Sequence, residues 1–362
     1  LETTCDDDCV FASNSSHLEP DALFAEVKDA SRCVVTHFFY PAERNPVVEV
    51  IPGGKTDEAL VEELLALFEL TGKLPVRVAP RYGYAIDPVF EGLCLAAIQA
   101  VERGLGSIAE VDAVAQRELG LTVGPFTAMN LVGATPILQV GIPHYHEKVM
   151  PWFAPSALLD AQLEKGEPWA VAGRDEEVDV AEDKAEVLAG WLLGAVFMLA
   201  GDVLDAGLIG LSDYDDTIGL ALDMKTPFAL MNKRGLAESL ALVEAFAERA
   251  QGARVPESLR VQAAKGEPWP LLHVQRRDVD GVAILTLRRF KVLNALSSAV
   301  LRQLGEHADA LAADDDIKAV VLRGFGTRAF VAGADIRELA KLQTPAEAAA
   351  QAVERQASGG AP

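Results

Sequence analysis

The sequence predicts a multidomain chain in which an α/β segment, a duplicated all-α region and a second α/β segment follow one another. Two observations lead to this. Apolar residues follow strand-like runs up to about residue 80, helical spacing from about 83 to 250, and strand-like runs again after 270. Within the helical part, Lys165-Gly166-Glu167-Pro168-Trp169 recurs letter for letter as Lys265-Gly266-Glu267-Pro268-Trp269.

In the first segment, Val10 to Ser13 reads as a short strand. Cys33 to Phe39 and Pro46 to Ile51 are apolar runs rich in Val and Phe and bounded by Pro and Gly. Thr56 to Thr71 predicts a helix stopped by Gly72, and Leu74 to Ala79 a further strand. The internal repeat extends beyond its Trp. Gly124-Pro125-Phe126-Thr127-Ala128-Met129-Asn130 matches Thr226-Pro227-Phe228-Ala229-Leu230-Met231-Asn232, and Asp112 pairs with Asp215. Two copies are too few for a solenoid; they suit two lobes, each burying the apolar face of the other. After a Pro-rich seam at Pro268 to Pro270, a hairpin is expected from His273 to Leu287 around Asp280-Gly281. Ser297 to Ala312 then reads as an amphipathic helix and Ile317 to Arg323 as a strand. An Ala-rich helix and a Ser-Gly-Gly tail close the chain. The expected divisions are 1–80, 81–172, 173–270, 271–345 and a tail at 346–362.

The formal charge of -22 argues against nucleic acid as a partner, because phosphate binding needs a basic face. A few local cations still suffice for an anionic ligand. The four cysteines form no CxxC pair and read as free thiols in a reducing compartment; no metal is expected. Leu1 to Asp8 is acidic, unlike a signal peptide. The most apolar run, Leu188 to Ala200, is too short to span a bilayer and reads as a core helix, so no membrane insertion is expected. The expected location is cytoplasmic, in cytosol or matrix. His144 and His146 flank Tyr145 without acidic or Cys partners at ligand spacing, and read as a surface loop.

His37 and Glu49 lie on two expected strands joined by a short Pro-containing loop, so the two can face each other. A carboxylate beside an imidazole fixes its tautomer and raises its pKa, which suits a base that takes a proton from an alcohol. Ser13-Asn14-Ser15-Ser16-His17-Leu18, His37-Phe38-Phe39-Tyr40-Pro41 and Val48-Glu49-Val50 stand in this order. In that order they resemble the SNTSSL, HFFNP and VEV segments of 3-hydroxyacyl-CoA dehydrogenases. With the helical repeats the resemblance covers about residues 1–270. It implies the second part of a Rossmann-like NAD-binding domain followed by the duplicated helical C-terminal domain. It also implies NAD as cofactor, His37 as catalytic base, Glu49 as its orienting partner, and Ser16 near substrate and cofactor. Two departures stand out. Tyr40 replaces an Asn that lies near the nicotinamide in the family. Asp87, in Tyr82-Gly83-Tyr84-Ala85-Ile86-Asp87, replaces the Asn of the segment opening the helical domain. An ionised carboxylate cannot donate to a substrate carbonyl, so Asp87 accepts from the 3-hydroxyl, is protonated, or has left the site. The expected consequence is an altered substrate preference. No G-x-G-x-x-G opens the chain, and Arg103-Gly104-Leu105-Gly106 follows a helix rather than a strand.

Residues 328–339, Arg328-Ala329-Phe330-Val331-Ala332-Gly333-Ala334-Asp335-Ile336-Arg337-Glu338-Leu339, put small residues at a corner before a helix. Backbone N–H groups at such a corner can stabilise a thioester enolate. This run is similar to the AGADI segment of the crotonase superfamily. Lys291-Val292-Leu293-Asn294-Ala295-Leu296 resembles its LNAL segment, and 317–324 its VVLRG strand. The resemblance covers about 271–345 and implies the first part of a crotonase-like α/β domain. It implies the Ala334 N–H as an oxyanion donor, with Lys291, Val292, Ala332, Asp335 and Ile336 lining a CoA site. Nothing after Leu342 resembles the superfamily's catalytic glutamates.

The expectation is therefore NAD-linked oxidation of L-3-hydroxyacyl-CoA to 3-oxoacyl-CoA, fused to an enoyl-CoA hydratase/isomerase segment, within β-oxidation. Acyl-CoA is the expected small-molecule partner, and a homo-oligomer is compatible with the sequence. The chain is expected to be truncated at both ends, active within its parent protein and inactive by itself. The competing reading is a non-catalytic acyl-CoA-binding or assembly module. A small non-CoA hydroxy acid fits less well, because a CoA-type segment is attached.

Overall fold

The computed structural model describes Glu2, residues 4–174 and residues 176–340. The Ala-rich helix and tail expected at the end of the sequence lie outside these residues. The chain divides into two compact units, one of Leu1–Ala66 with Pro75–Trp269, the other of Leu67–Leu74 with Pro270–Pro362.

The first unit opens with a sheet of β1 (Phe11–Ser13), β2 (Cys33–Phe38), β3 (Val47–Pro52) and β4 (Leu74–Arg77), ordered β1-β2-β3-β4. Between β1 and β2 comes the single-turn helix α1 (Pro20–Leu23), and between β3 and β4 the helix α2 (Glu58–Leu70). Gly72 at φ 84° follows the end of α2, a conformation that costs glycine little. β1 runs parallel to β2, and β2 antiparallel to β3, with His37 opposite Glu49. β3 is buried throughout and β2 all but throughout, which explains their unbroken runs of Val and Ile in place of an alternating pattern.

Ten helices follow. The first repeat holds α3 (Asp87–Glu102), α4 (Ile108–Leu119), α5 (Pro125–Val132), α6 (Ala134–Lys148) and α7 (Ala157–Lys165). The second holds α8 (Glu182–Asp205), α9 (Leu211–Ala221), α10 (Pro227–Arg234), α11 (Leu236–Arg249) and α12 (Glu257–Lys265). The repeated letters make the same bonds twice. Asp112 Oδ1 accepts from the Phe126 N–H at 2.8 Å, and Asp215 Oδ1 from the Phe228 N–H at 2.8 Å. Each buried carboxylate thereby serves an N–H left over at the start of a Pro-initiated helix. Asn130 and Asn232 donate to the carbonyls of Trp169 and Trp269, both at 3.0 Å. Gly166 and Gly266 end α7 and α12 in the left-handed region.

The two repeats meet where α3 packs on α8, and the Trp191 indole donates to the Ala96 carbonyl at 2.8 Å. The apolar run noted at 188–200 is part of a longer helix than its thirteen letters suggest. α8 has 24 residues, enough by length and composition to cross a membrane, but 83% of its most apolar window is buried inside this unit. Its apolarity is accounted for by neighbours on every side, α3, α4 and α11 among them. The surface loop expected around Tyr145 is also corrected. Residues 144–146 lie inside α6, and Tyr145 is fully buried because its ring stacks on Phe153 and meets Tyr82 edge-on.

In the second unit β5 (Val274–Val279) and β6 (Val282–Leu287) form the hairpin. Its turn residues Asp280 and Gly281 take φ of 50° and 76°, as a two-residue primed turn requires. α13 (Ser298–Ala312) crosses to β7 (Ala319–Gly324), which pairs parallel with β6, and the single-turn α14 (Ile336–Leu339) follows. The core is Val274, Leu285, Leu287 and Val300.

Candidate active site

The site in the first unit begins at the carboxyl ends of β1 and β2. Because these strands are parallel, the residues leaving them emerge on one edge of the sheet, where open α/β sheets bind ligands. Asn14 follows β1, and its Oδ1 accepts from the Phe38 N–H at 2.9 Å, tying the two exits together. Ser16 then lies 3.2 Å, through its Oγ, from His37 Nε2.

The other ring nitrogen, His37 Nδ1, is 2.8 Å from Glu49 Oε2 across the antiparallel register. Glu49 is fully buried, and its second oxygen accepts from the Ala85 N–H at 3.1 Å. With Glu49 fixed in this way, Nδ1 holds a proton towards it and Nε2 faces the cavity. Phe39 meets the imidazole edge-on at 4.5 Å and Tyr84 lies at 5.5 Å, so the ring is held by packing as well as by hydrogen bonds. The cavity beside it has a volume of about 340 Å³, and its wall includes Tyr40, Phe90, Leu93, Pro125 and Ala128.

Of the expected residues, Ser16, His37, Glu49 and Asp87 come together. Asp87 has not left the site: it opens α3, and its Oδ2 is 3.6 Å from His37 Nε2. Tyr40 lines the same cavity but is 69% exposed, so it stands at the mouth. Two further residues were not anticipated. Glu91 lies one turn beyond Asp87 on α3, and its Oε1 is 2.5 Å from His17 Nε2. The Tyr145 hydroxyl donates to the same oxygen at 3.4 Å. An acidic residue within the apolar run Val89 to Ala97 was the available signal for Glu91. His17 carried none beyond its place in the serine-rich segment.

Burial works against charge on His37, yet the Asp87 and Glu49 carboxylates outweigh it and lift the imidazole to about 9. Burial raises Asp87 to about 7; His37 pulls it down, while Glu91 and Glu49 push it up. His17 is raised as well, because Glu91 offsets its burial. These shifts set a stability profile. A group that binds its proton more tightly when folded adds stability at low pH and loses it as pH rises through its folded pKa. Asp87 runs this way from 3.8 to about 7 and His37 from 6.5 to about 9, so the melting temperature is expected to fall as pH rises from 6.5 towards 9, chiefly through His37. A flat or rising melting temperature over that window, in a buffer series of constant ionic strength, contradicts the assignment.

The residues present fit the nicotinamide end of a dinucleotide. A sheet edge of parallel strands, a cavity whose lining includes Phe38, Phe39, Tyr40 and Phe90, and an oriented imidazole meet at one point. Among the described residues no glycine-rich turn at that edge cradles a pyrophosphate.

The second unit has its own corner. Leu296 and Ala334 form a parallel bridge in which the Leu296 N–H donates to Gly333 and the Asp335 N–H to Leu296, both at 2.8 Å. In such a bridge the flanking residues make the bonds, so the Ala334 N–H points to the opposite side. Leu293 and Asn294, at φ of 50° and 59°, turn the chain here, and Asn294 donates to the carbonyls of Phe325 and Ala329. Lys291, Ala332 and Ile336 are exposed around this corner and Val292 half-buried. Asp335 differs: its side chain is buried, 2.7 Å from Arg289, and caps the Arg337 N–H. Its carboxylate is therefore engaged within the corner.

Comparison with known proteins follows the same order along the chain. Residues 1–81 match the family model for the NAD binding domain of 3-hydroxyacyl-CoA dehydrogenase, and residues 83–174 the model for its C-terminal domain. Residues 282–357 match the enoyl-CoA hydratase/isomerase model. The chain is 30% identical over 172 residues to a 3-hydroxybutyryl-CoA dehydrogenase of Mycobacterium tuberculosis, covering 47% of this chain and 59% of that protein. It is 28% identical over 174 residues to the peroxisomal fatty acid beta-oxidation multifunctional protein AIM1 of Arabidopsis thaliana, covering 48% of this chain and 24% of that one. A crystal structure of 3-hydroxybutyryl-CoA dehydrogenase from Escherichia coli superposes with a TM-score of 0.62 at 18% identity, over 73% of this chain and 77% of that one, a likeness of fold. The chain thus spans somewhat over half the length of one of these curated relatives and a quarter of the other.

Proposed function

We propose that the chain, whose residues match the two 3-hydroxyacyl-CoA dehydrogenase models and the enoyl-CoA hydratase/isomerase model, interconverts L-3-hydroxyacyl-CoA and 3-oxoacyl-CoA with NAD. The observation that carries this is the His37 imidazole, clamped by Glu49 through Nδ1 and open to the cavity through Nε2. His37 Nε2 exchanges a proton with the 3-oxygen of the substrate, and Ser16 Oγ, 3.2 Å from Nε2, marks where that oxygen sits. Glu49 stabilises the imidazolium formed when the alcohol is oxidised. Ser16 and Tyr40 would flank the nicotinamide, which supplies a carrier for the hydride when bound. The aromatic and aliphatic wall excludes water from the reacting atoms. In the second unit the Ala334 N–H serves as an oxyanion donor for a CoA thioester, with Lys291, Val292, Ala332 and Ile336 around it. A place in β-oxidation, a cytoplasmic location and a homo-oligomeric state belong to the same reading.

The test is NADH oxidation with acetoacetyl-CoA, compared with free acetoacetate, on the protein as encoded at full length. The thioester is expected to give a kcat/KM higher by at least about tenfold, since a remote CoA moiety contributes binding energy to the chemical step. Equal turnover of the free acid overturns the CoA assignment, and turnover of neither overturns the dehydrogenase.

A further inference from the structure

His37 lies between two carboxylates, one for each ring nitrogen: Glu49 Oε2 at 2.8 Å from Nδ1 and Asp87 Oδ2 at 3.6 Å from Nε2. Nδ1 is hydrogen-bonded to Glu49, while Nε2, whose hydrogen-bond partner is Ser16 Oγ at 3.2 Å, lies at ion-pair distance from Asp87, so a positive charge on the ring is attracted by both carboxylates. We propose that Asp87, backed by the His17–Glu91 pair, keeps a proton on His37 Nε2 in the resting site, so that the site stands loaded as a proton donor and runs preferentially as a reductase of the 3-oxo group. This rests on the dehydrogenase reading and adds a direction to it.

The surrounding groups support it from every side. Glu49 faces the ring from β3, and Asp87 and Glu91 from α3; His17 comes from the loop after β1, and the Tyr84 ring from the loop before α3. His17, Asp87 and Glu91 put their ligand atoms within 4.8 Å of one another. Two carboxylates one turn apart on a buried helix face repel each other, and the raised member would then lose its charge. The His17 ring at 2.5 Å from Glu91 offsets part of that repulsion, so Asp87 can still face His37 as a carboxylate. His17 is itself fixed by stacking on Tyr82 at 5.1 Å. Asp87 keeps 13% of its side chain accessible against 4% for His37, so it is also the route by which the proton is replaced from solvent.

A reduced nicotinamide bound beside Ser16 and Tyr40 would supply the hydride to the carbonyl carbon, and His37 Nε2 the proton to its oxygen. The donor C–H bond, the C=O π bond and the N–H bond would break, a substrate C–H and an O–H bond would form, and the ketone would be reduced as the dinucleotide is oxidised. His37 is left neutral, and Asp87 draws in the next proton. Oxidation must start from the neutral imidazole, a minor species in this resting site. Asp87 is thus a positioning residue acting through His37.

The experiment is a titration of the imidazole 15N signals of this chain without cofactor, where His37→Gln identifies the His37 signal among the six histidines. In the wild type the His37 ring is expected to stay charged to about pH 9. Asp87→Asn, of the same shape without the charge, is expected to lower that midpoint by more than about one pH unit. At full length, kcat/KM for acetoacetyl-CoA reduction is expected to stay flat between about pH 6 and 8, while oxidation of the 3-hydroxy thioester climbs about tenfold per unit. A wild-type ring titrating at or below 6.5, or an unchanged midpoint in Asp87→Asn, overturns the proposal whatever the enzyme turns over. A charged ring in a protein that turns over neither thioester overturns instead the function on which the direction depends.

Discussion

Replacing His37 with Gln is expected to lower kcat for acetoacetyl-CoA reduction about a thousandfold, the usual loss when a positioned acid–base group is removed. Gln can still donate to Glu49 from its amide, so the buried carboxylate keeps a partner. What it lacks is a proton that moves near neutral pH. The residual rate is therefore expected to lack the ionisation near pH 9 at which the wild-type ring titrates. KM for the thioester is expected to change little, because the cavity wall supplies the binding and stays intact. A loss of less than about tenfold would mean that another group carries the proton, and His17, the other imidazole at this cavity, would be the one to examine.

The second large effect concerns stability. A Cβ added at Gly194 in α8 meets the Leu242 carbonyl oxygen and Phe246 Cβ, both at 2.7 Å. Both belong to α11, which packs directly on α8, and one is backbone, so neither yields without moving a helix. Gly194→Ala is expected to cost about 2–3 kcal/mol, the range for overpacking a well-filled core. Gly190 lies one turn earlier on the same helix, and there an added Cβ meets only Leu242 Cδ2 at an ordinary 3.7 Å. Gly190→Ala is expected to be neutral or stabilising by up to about 1 kcal/mol through helix propensity. Urea unfolding followed by tryptophan fluorescence separates the two, since all four tryptophans, Trp152, Trp169, Trp191 and Trp269, lie in the first unit. Equal effects at the two glycines would contradict the close approach of α11 to Gly194.

Much of this was legible from the letters because each part rests on local rules. An apolar run rich in Val and bounded by Pro and Gly means a strand, and helical spacing stopped by a Gly means a helix. A pentapeptide that recurs with its Trp means a duplicated unit, whose bonds from Asp112 and Asp215 or Asn130 and Asn232 are then made twice. The pairing of His37 with Glu49 was also within reach, since a short antiparallel connection brings such residues opposite each other.

The sequence by itself determined the order of the α/β, helical and α/β segments, the repeat, and the imidazole–carboxylate pair. Only the tertiary structure decided the rest, because it depends on elements far apart in the chain. Asp87 was open to three fates; its place at the start of α3 put it 3.6 Å from His37. His17 and Glu91, seventy-four residues apart, are joined only because the loop after β1 folds over α3. Tyr145, read as part of a surface loop, is buried because α6 continues through it and packs its ring on Phe153 and Tyr82. Asp335 turned to Arg289 because a buried carboxylate takes the nearest cation. Such choices are made by distance in space, and no spacing in the sequence carries that information.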